Sequence, residues 1–374
     1  MDDKLRVLVV DDTVTYRKIV GSLLAEMPGV EVIGTAPNGK IALEKVEQLR
    51  PDLLLLDVEM PEVNGLDVLR HLRASGAQTG AMMLSALTAQ GATTTVQCLE
   101  LGAFDFVLKP SGGSMDANVE LLRQELRPRL VAFARKHNVQ AILSGVAVPP
   151  RMGHATIPVA RVTSPDRLRP QPPVNATAVP QIVGIGISTG GPKALTEMLP
   201  RLPGDLPVPV LIVQHMPPVF TKSLAEDLDR RCKLRVREAQ DGDEVQPGMI
   251  LIAPGGKQMR VWREGPRDMI RITDDPPENS CRPSVDYLFR SVASVYGANS
   301  VGVIMTGMGS DGSIGCRAIK DHGGQIIAQD EASCVVFGMP RPPIEEGIAD
   351  VVAPLGNLAA EIVRLTGKGR CVCK

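Results

Sequence analysis

Residues 183–192 of this chain read VGIGISTGGP, and this stretch decides the fold of the C-terminal half. The apolar run 181–187 predicts a buried strand. Ser188 and two glycines follow it, and Pro192 suits the first turn of the helix that the next apolar positions predict. The sequence therefore places Ser188 at a strand-to-helix turn, the G-x-S-x-G elbow that exposes a serine hydroxyl beside backbone N–H groups.

Predicted strands and helices alternate through the C-terminal half, which is typical of a Rossmann-like, doubly wound and mostly parallel sheet. Ligand sites in such sheets gather at the carboxyl ends of the strands. His215 follows the predicted strand 208–213, and Asp311 lies in a glycine-rich turn after the predicted strand 300–305. A serine nucleophile needs a base, and the base needs an orienting carboxylate. We therefore expect Ser188, His215 and Asp311 to be the catalytic residues.

A dinucleotide-binding loop is an alternative interpretation of the same stretch. Its G-x-G-x-x-G pattern fails because Thr189 is not a glycine, and the next strand ends in Gln214-His215 rather than in an acid that would hold a ribose. The order Ser, His, Asp along the chain also differs from the Ser, Asp, His order of α/β-hydrolases. A function of a different class stays open, namely a docking protein that phosphorylation switches.

The N-terminal half shows the same alternation, with polar residues where its predicted strands end. Four strand ends carry three carboxylates, a hydroxyl and an ammonium group: Asp11, Asp12, Asp57, Ser85 and Lys109. Clustered carboxylates need a cation, and oxygen ligands with room for water suit Mg²⁺. A carboxylate beside Mg²⁺ can accept a phosphoryl group, because carboxylates are known covalent acceptors.

Residues 4–124 resemble the receiver domain of response regulators. The five polar residues carry this resemblance together with Met60-Pro61, Gly65 and Pro110. The family's fold is a flavodoxin-like, doubly wound parallel sheet, so the resemblance implies that fold here. It also implies a histidine kinase as the phosphodonor.

This resemblance further implies a role for each residue of the cluster. Asp57 would be the phosphoacceptor, and Phe106 would occupy the place of the family's switch aromatic. The implied Mg²⁺ ligands are Asp11, Asp12, Asp57 and the backbone carbonyl of Glu59. The implied contacts to the phosphoryl group are Ser85 and Lys109.

Residues 181–366 resemble the CheB family of chemotaxis protein-glutamate methylesterases. Seven motifs carry the resemblance: GISTGGP (186–192), QHM (214–216), FTxSLA (220–225), APGG (253–256), RPSVD (282–286), MTGMGxDG (305–312) and QDEAS (329–333). It implies that Ser188, His215 and Asp311 form a triad and that the backbone N–H of Met308 helps to form the oxyanion hole. Gln258 stands where a histidine is common in the family, which removes no catalytic group.

The two resemblances imply a phosphorylation-activated serine hydrolase for adaptation in bacterial chemotaxis. Such an enzyme is a protein-glutamate methylesterase that removes γ-methyl esters from chemoreceptors, and it also deamidates glutamines. Mg²⁺ would bind to the receiver domain, whereas ester hydrolysis would need no cofactor. An esterase of the same kind in another signalling pathway is a third possibility.

The expected domain organisation has four parts. These are a receiver domain (1–124), a helix with a Pro-rich linker (125–179), a methylesterase domain (180–367) and a tail (368–374). The helix is expected over 118–136, with Pro128 as a potential break.

Bulk properties exclude several classes of protein. The net charge of −1 gives no electrostatic argument for binding nucleic acid. No apolar run reaches the roughly 20 residues of a membrane span, so we expect no membrane insertion. The seven cysteines are scattered, with only Cys371 and Cys373 close together in the tail. This pattern favours reduced thiols and a cytoplasmic protein.

Overall fold

The computed structural model describes residues 4–137 and 178–367, which form an N-terminal unit and a C-terminal unit. The strands of the N-terminal unit are β1 (Leu5–Val10), β2 (Val30–Ala36), β3 (Leu53–Asp57), β4 (Gly80–Ser85) and β5 (Asp105–Leu108). Its helices are α1 (Val14–Ala25), α2 (Gly39–Leu49), α3 (Gly65–Ala74), α4 (Ala89–Glu100) and α5 (Met115–Lys136). No helix within the described residues is long and apolar enough to span a membrane.

The N-terminal sheet has the strand order β2-β1-β3-β4-β5, and every pairing in it is parallel. This is the flavodoxin-like order, so the predicted fold of this unit is confirmed. Residues 53–56 are four consecutive leucines with no exposed surface. A continuous apolar run is expected for a central parallel strand, because helices cover both of its faces.

Helix α5 continues through Pro128 without a break. A proline inside a helix removes one backbone hydrogen bond, at a cost of about 3 kcal/mol or more. Burial of Leu122, Leu126, Leu130 and Phe133 on one face offsets this cost, because each large apolar side chain contributes roughly 1.5–3 kcal/mol. The potential break at Pro128 is therefore absent.

The C-terminal unit is larger than the N-terminal unit. Its strands are β6 (Ile182–Ile187), β7 (Val210–Gln214), β8 (Arg235–Glu238), β9 (Met249–Ile252), β10 (Gln258–Glu264), β11 (Arg267–Thr273), β12 (Ser300–Ile304), β13 (Gln325–Gln329) and β14 (Val351–Ala353). Its helices are α6 (Gly191–Met198), α7 (Phe220–Asp229), α8 (Val285–Tyr296), α9 (Ser313–Asp321), α10 (Arg341–Glu345) and α11 (Leu355–Thr366).

Seven of these strands form one parallel sheet in the order β14-β13-β12-β6-β7-β9-β8, which confirms the predicted doubly wound class. The antiparallel hairpin of β10 and β11 is separate from it, and the sequence analysis did not identify this hairpin. Most of the predicted linker (138–177) and the tail (368–374) lie outside the described residues.

Strand β6 occupies the point where the chain changes direction in the sheet. The chain passes from β6 to β7 on one side, and it later returns through β12 on the other side. Ile187 pairs with Gln214, and Gly186 pairs with Ile304, so the three carboxyl ends lie side by side. Such a switch point forms the crevice in which doubly wound sheets bind ligands.

The elbow after β6 depends on one backbone conformation. The Gly191 N–H donates to the Ser188 carbonyl at 2.8 Å, which closes the turn before α6. Gly190 has a φ of +80°, in the left-handed region that glycine adopts without strain. A Cβ atom at Gly190 would lie only 2.5 Å from the Val335 Cβ. Glycine is thus required here by both conformation and space.

We expect Gly190→Ala to lower the free energy of unfolding of the C-terminal unit by about 2 kcal/mol or more, because left-handed strain and overpacking add. Gly356→Ala is the matched control in the same unit. Gly356 is exposed on α11. A Cβ atom added there would have the Arg201 Nη1 atom as its nearest neighbour, at 3.4 Å. Urea denaturation of the full chain measures both variants, and equal stabilities would contradict the assignment of the elbow.

Candidate active site

The structure brings Ser188, His215 and Asp311 together at the edge of the C-terminal sheet. Ser188 follows β6, His215 follows β7, and Asp311 lies in the turn between β12 and α9. Ser188 and His215 line one cavity of about 590 Å³. The Asp311 side chain lies behind His215, only 2% exposed, and the His215 Nε2 atom is 2.8 Å from the Asp311 Oδ2 atom.

Asp311 is held at the N-terminus of helix α8. Its carboxylate accepts hydrogen bonds from the backbone N–H groups of Val285 at 2.7 Å and Asp286 at 3.2 Å. The Ser284 hydroxyl donates to it at 2.8 Å, and the Asn279 amide donates at 3.0 Å. The N-terminus of a helix favours negative charge, so this position suits an ionised carboxylate.

The environment stabilises Asp311 as an anion and His215 as a cation. Burial raises the pKa of Asp311, but the hydrogen bond and charge of His215, with donors from Val285 and Asn279, lower it to about 2. Burial lowers the pKa of His215, but hydrogen bonds with Asp311 and Cys281 outweigh this effect and raise it to about 9. The Asp311 carboxylate therefore stays charged at any neutral pH.

The two nitrogens of His215 have different partners. A carboxylate only accepts, so Nε2 carries a proton toward Asp311. Nδ1 is the remaining nitrogen for proton transfer, and it lies 3.7 Å from the Cys281 Sγ atom. Within residues 4–137 and 178–367, no hydrogen bond joins the Ser188 hydroxyl to His215. Such bonds are often loose without substrate, and both residues line the same cavity.

Two backbone N–H groups beside Ser188 are free to bind an oxyanion. The N–H groups of Thr189 and Met308 donate no hydrogen bond to any residue in the described part of the chain. Both residues line the cavity that contains Ser188. Sequence reasoning identified Met308 but not Thr189, although the residue after an elbow nucleophile commonly supplies such a donor.

Sequence reasoning also missed the residues that position the triad. Ser284 caps α8, where it accepts from the Tyr287 N–H at 3.4 Å. A serine before a run with helical periodicity is a signal for a helix N-terminus, and it could have predicted an anion site there. No comparable signal marks Asn279 or Cys281, because both lie in the irregular loop before α8.

The structure brings the polar residues of the N-terminal unit together at the carboxyl ends of its strands. Carboxylate oxygens of Asp11, Asp12 and Asp57 lie within 4.8 Å of one another. Lys109 Nζ is 2.6 Å from both Asp11 and Asp57. One ammonium group does not balance three carboxylates, although Lys109 pairs with the buried Asp11 Oδ2 atom. This excess of oxygen donors and negative charge fits a hard divalent cation.

Asp57 is almost fully buried, and its pKa is higher than that of an exposed aspartate. Burial raises the pKa of Asp57, Lys109 lowers it, and the charge of Asp11 raises it again, which leaves a value of about 6. The Glu59 N–H lies 3.4 Å from the Asp57 Oδ1 atom, in the turn after β3. The buried Ser85 hydroxyl accepts from the Thr95 hydroxyl of α4 at 2.8 Å.

The N-terminal unit covers the cavity that contains Ser188. Asp105 at the start of β5 accepts from the Thr189 hydroxyl at 2.7 Å, next to the nucleophile position. Phe106 stacks on Phe220 of α7 with ring centroids 4.8 Å apart. Residues of β5 and α5 also line the cavity. Access to Ser188 therefore depends on how the two units are arranged.

Each half of the chain matches a known protein family. The response regulator receiver domain family matches residues 7–119, and the CheB methylesterase family matches residues 183–362.

Relatives with similar sequences extend over nearly the whole chain. A protein-glutamate methylesterase/protein-glutamine glutaminase of Desulfotalea psychrophila is 49% identical, over 96% of this chain and 98% of that protein. A protein of the same name from Trichodesmium erythraeum is 44% identical, over 97% of this chain and 99% of that protein. The crystal structure of the Thermotoga maritima CheB methylesterase catalytic domain is 43% identical with a TM-score of 0.49, over 50% of this chain and 100% of that one.

We expect Asp311→Asn to lower the pKa of His215 by about 1 unit or more, because an amide cannot supply the negative charge that stabilises the imidazolium. Titration of the ¹³C-labelled histidine ring by NMR measures this pKa, and His215→Gln assigns the signal. Asp321→Asn, at the exposed end of α9, is the control. An unchanged pKa in Asp311→Asn would mean that the His215–Asp311 bond is not formed in solution.

Proposed function

The chain belongs to the family of protein-glutamate methylesterases/protein-glutamine glutaminases that combine a receiver domain with a CheB methylesterase domain, and from this premise we propose that it demethylates glutamate γ-methyl esters of chemoreceptors. Deamidation of glutamines follows the same acyl chemistry, with ammonia in place of methanol. The observation that carries this proposal is the His215–Asp311 bond at the sheet edge beside the Ser188 elbow.

Ser188 is the proposed nucleophile. Its hydroxyl attacks the ester carbonyl while Nδ1 of the neutral form of His215 accepts the proton, since Nε2 is already bonded to Asp311. Because the pKa of His215 is about 9, the neutral form, and with it hydrolysis, increases as the pH rises toward 9. Asp311 keeps the proton on Nε2 and stabilises the imidazolium that forms. This assignment of nitrogens is the reverse of the usual triad, in which Nε2 faces the serine. The roles follow from hydrogen-bond partners, so the reversal does not alter the chemistry.

Backbone donors hold the negative charge of the tetrahedral intermediate. We assign the N–H groups of Met308 and Thr189 to this oxyanion hole, because both are free and line the same cavity. One such donor can be worth about 3–4 kcal/mol of transition-state stabilisation. His215 then returns the proton to the leaving methanol, and water attacks the acyl-enzyme by the same route.

The acidic cluster is the proposed phosphorylation site. Asp57 accepts the phosphoryl group from a histidine kinase, with Ser85 and Lys109 as contacts to that group. Asp11, Asp12, Asp57 and the Glu59 carbonyl would hold Mg²⁺, which when bound neutralises the charge on the phosphoryl oxygens.

Two elements of the N-terminal unit connect this site to the cover over the cavity. Strand β5 carries Asp105 and Phe106 at its start, and Lys109 follows its end. Thr95 of helix α4 donates a hydrogen bond to the Ser85 hydroxyl, which links α4 to the phosphorylation site. A phosphoryl group that recruits Lys109 and Ser85 changes the partners of both elements. Phosphorylation then favours an arrangement with the cavity uncovered, provided the phosphoryl group binds that arrangement better.

We expect Ser188→Ala to abolish methanol release from methylated receptors and labelling by a fluorophosphonate, because both require an activated hydroxyl. Loss of such a nucleophile can cost about 10⁶ in kcat. Ser310→Ala is the control, since Ser310 is exposed in the turn next to Asp311. Near-normal hydrolysis by Ser188→Ala would show that another residue is the nucleophile.

We expect Asp57→Asn to keep its basal ester hydrolysis and to lose its response to a small-molecule phosphodonor with Mg²⁺. An amide cannot accept the phosphoryl group, and the residue lies in the other unit from Ser188. Asp67→Asn serves as the control, because Asp67 is a half-exposed carboxylate in the first turn of α3, outside the acidic cluster. Methanol release with and without phosphodonor measures the effect, and an undiminished response would contradict the role of Asp57.

A further inference from the structure

Cys281 lies beside the histidine of the proposed triad, and the proposed reaction does not use it. Its Sγ atom is 3.7 Å from His215 Nδ1 and 3.4 Å from the Asn279 carbonyl oxygen. We propose that Cys281 Sγ and His215 Nδ1 form a binding site for a soft divalent metal ion of the Zn²⁺ class. Occupation of this site blocks ester hydrolysis.

The distance between the two donor atoms matches one tetrahedral ion. Zn²⁺ binds thiolate sulfur at about 2.3 Å and imidazole nitrogen at about 2.0 Å, so sulfur and nitrogen on one tetrahedral ion lie about 3.5 Å apart. The observed separation of Cys281 Sγ and His215 Nδ1 is 3.7 Å. Both ligands can therefore bind one ion with little movement of the side chains.

Asp311 orients the imidazole ring of His215 by bonding to the nitrogen that would not bind the metal ion. Histidines that bind metals usually donate their other N–H group to a carboxylate, which fixes the ring and strengthens it as a ligand. The Nε2 atom of His215 makes this bond to Asp311 at 2.8 Å. The hydrogen bond between His215 Nε2 and Asp311 leaves Nδ1 as the nitrogen that accepts a proton, and the same nitrogen can bind a metal ion.

Hydrogen bonds fix the main chain at Cys281. The Cys281 N–H donates to the Glu278 carbonyl at 2.7 Å, and the Glu278 N–H donates to the Cys281 carbonyl at 3.1 Å. The Gln258 amide also contacts the Cys281 carbonyl, at 3.4 Å. The two ligands therefore come from separate segments of the chain, and hydrogen bonds fix the main chain of the segment that carries Cys281.

The chemistry of the donors selects the ion. Thiolate and imidazole favour Zn²⁺ and related soft or borderline ions, whereas the all-oxygen cluster of Asp11, Asp12 and Asp57 suits Mg²⁺. Cys281 and His215 both line the cavity of Ser188, so water or a substrate group can fill the remaining coordination positions. Metal binding releases two protons to solvent, one from the Cys281 thiol and one from Nδ1 of the charged His215 imidazole, so the metal binds more tightly at higher pH.

Bound metal takes the lone pair of Nδ1, and the histidine can then accept no proton from Ser188. The inhibition rests on the proposed role of His215 as the base, whereas the metal site itself does not. Two measurements separate these claims: a spectrum of the bound metal and the rate of hydrolysis.

Co²⁺ is the probe for the site, because a thiolate ligand gives a sulfur-to-cobalt charge-transfer band. The full chain carries Cys371→Ser and Cys373→Ser, since two nearby tail cysteines can bind the same ions. We expect a saturable band in this protein and in Cys232→Ser, the matched half-buried control, and its loss in Cys281→Ser. His215→Gln should weaken Co²⁺ binding about tenfold or more.

The absence of the band in the parent protein, or its persistence in Cys281→Ser, would overturn the proposal. Zn²⁺ titrations of ester hydrolysis, each normalised to the variant's own metal-free rate, should need at least about tenfold more Zn²⁺ in Cys281→Ser. Equal inhibition of both proteins would also overturn it. A metal-free protein without any hydrolysis would contradict the proposed function, and the cobalt band would still decide the metal site.

Discussion

The site at the C-terminal sheet depends on one constraint: a carboxylate must stay ionised away from water. The effective penalty for burying one charge is several kcal/mol, so Asp311 needs compensating donors. The start of α8 supplies them, which requires that helix to lie directly against β6. Gly186 permits this approach, because a Cβ atom there would lie 2.3 Å from a methyl carbon of Val285. Gly186 before Ser188 thus allows the approach of the helix that holds Asp311, whereas Gly190 after Ser188 forms the turn.

The outline of the fold and the site could be predicted because both follow from short-range patterns. Apolar runs marked the strands, and parallel strands bring their carboxyl ends to one edge, so Ser188, His215 and Asp311 were expected together. The hairpin of β10 and β11 was missed although its sequence carries a signal, since buried Met259 and Val261 alternate with exposed Arg260 as in a half-buried strand. Its strands pair with each other outside both parallel sheets, and Met269 of β11 adds an isolated bridge to Glu244.

The residues around the triad could not be predicted for a different reason. Asn279 and Cys281 reach His215 and Asp311 through an irregular loop, and no periodic pattern states where such a loop leads. The same holds between the units, where Thr189 meets Asp105 across 84 positions of the chain. Contacts of this kind depend on how two folded surfaces meet. A single sequence without an alignment carries no signal for which surface residues of the two units will be in contact.

The contacts that cover the cavity are individually modest, which suits a switch. A hydrogen bond such as Thr189–Asp105 contributes about 0.5–1.5 kcal/mol, and an aromatic pair such as Phe106–Phe220 about as much beyond its buried area. A hundredfold shift between covered and uncovered arrangements needs about 2.8 kcal/mol. New partners for Lys109 and Ser85 can supply a difference of that size, since hydrogen bonds to charged groups are worth about 1.5–3 kcal/mol each.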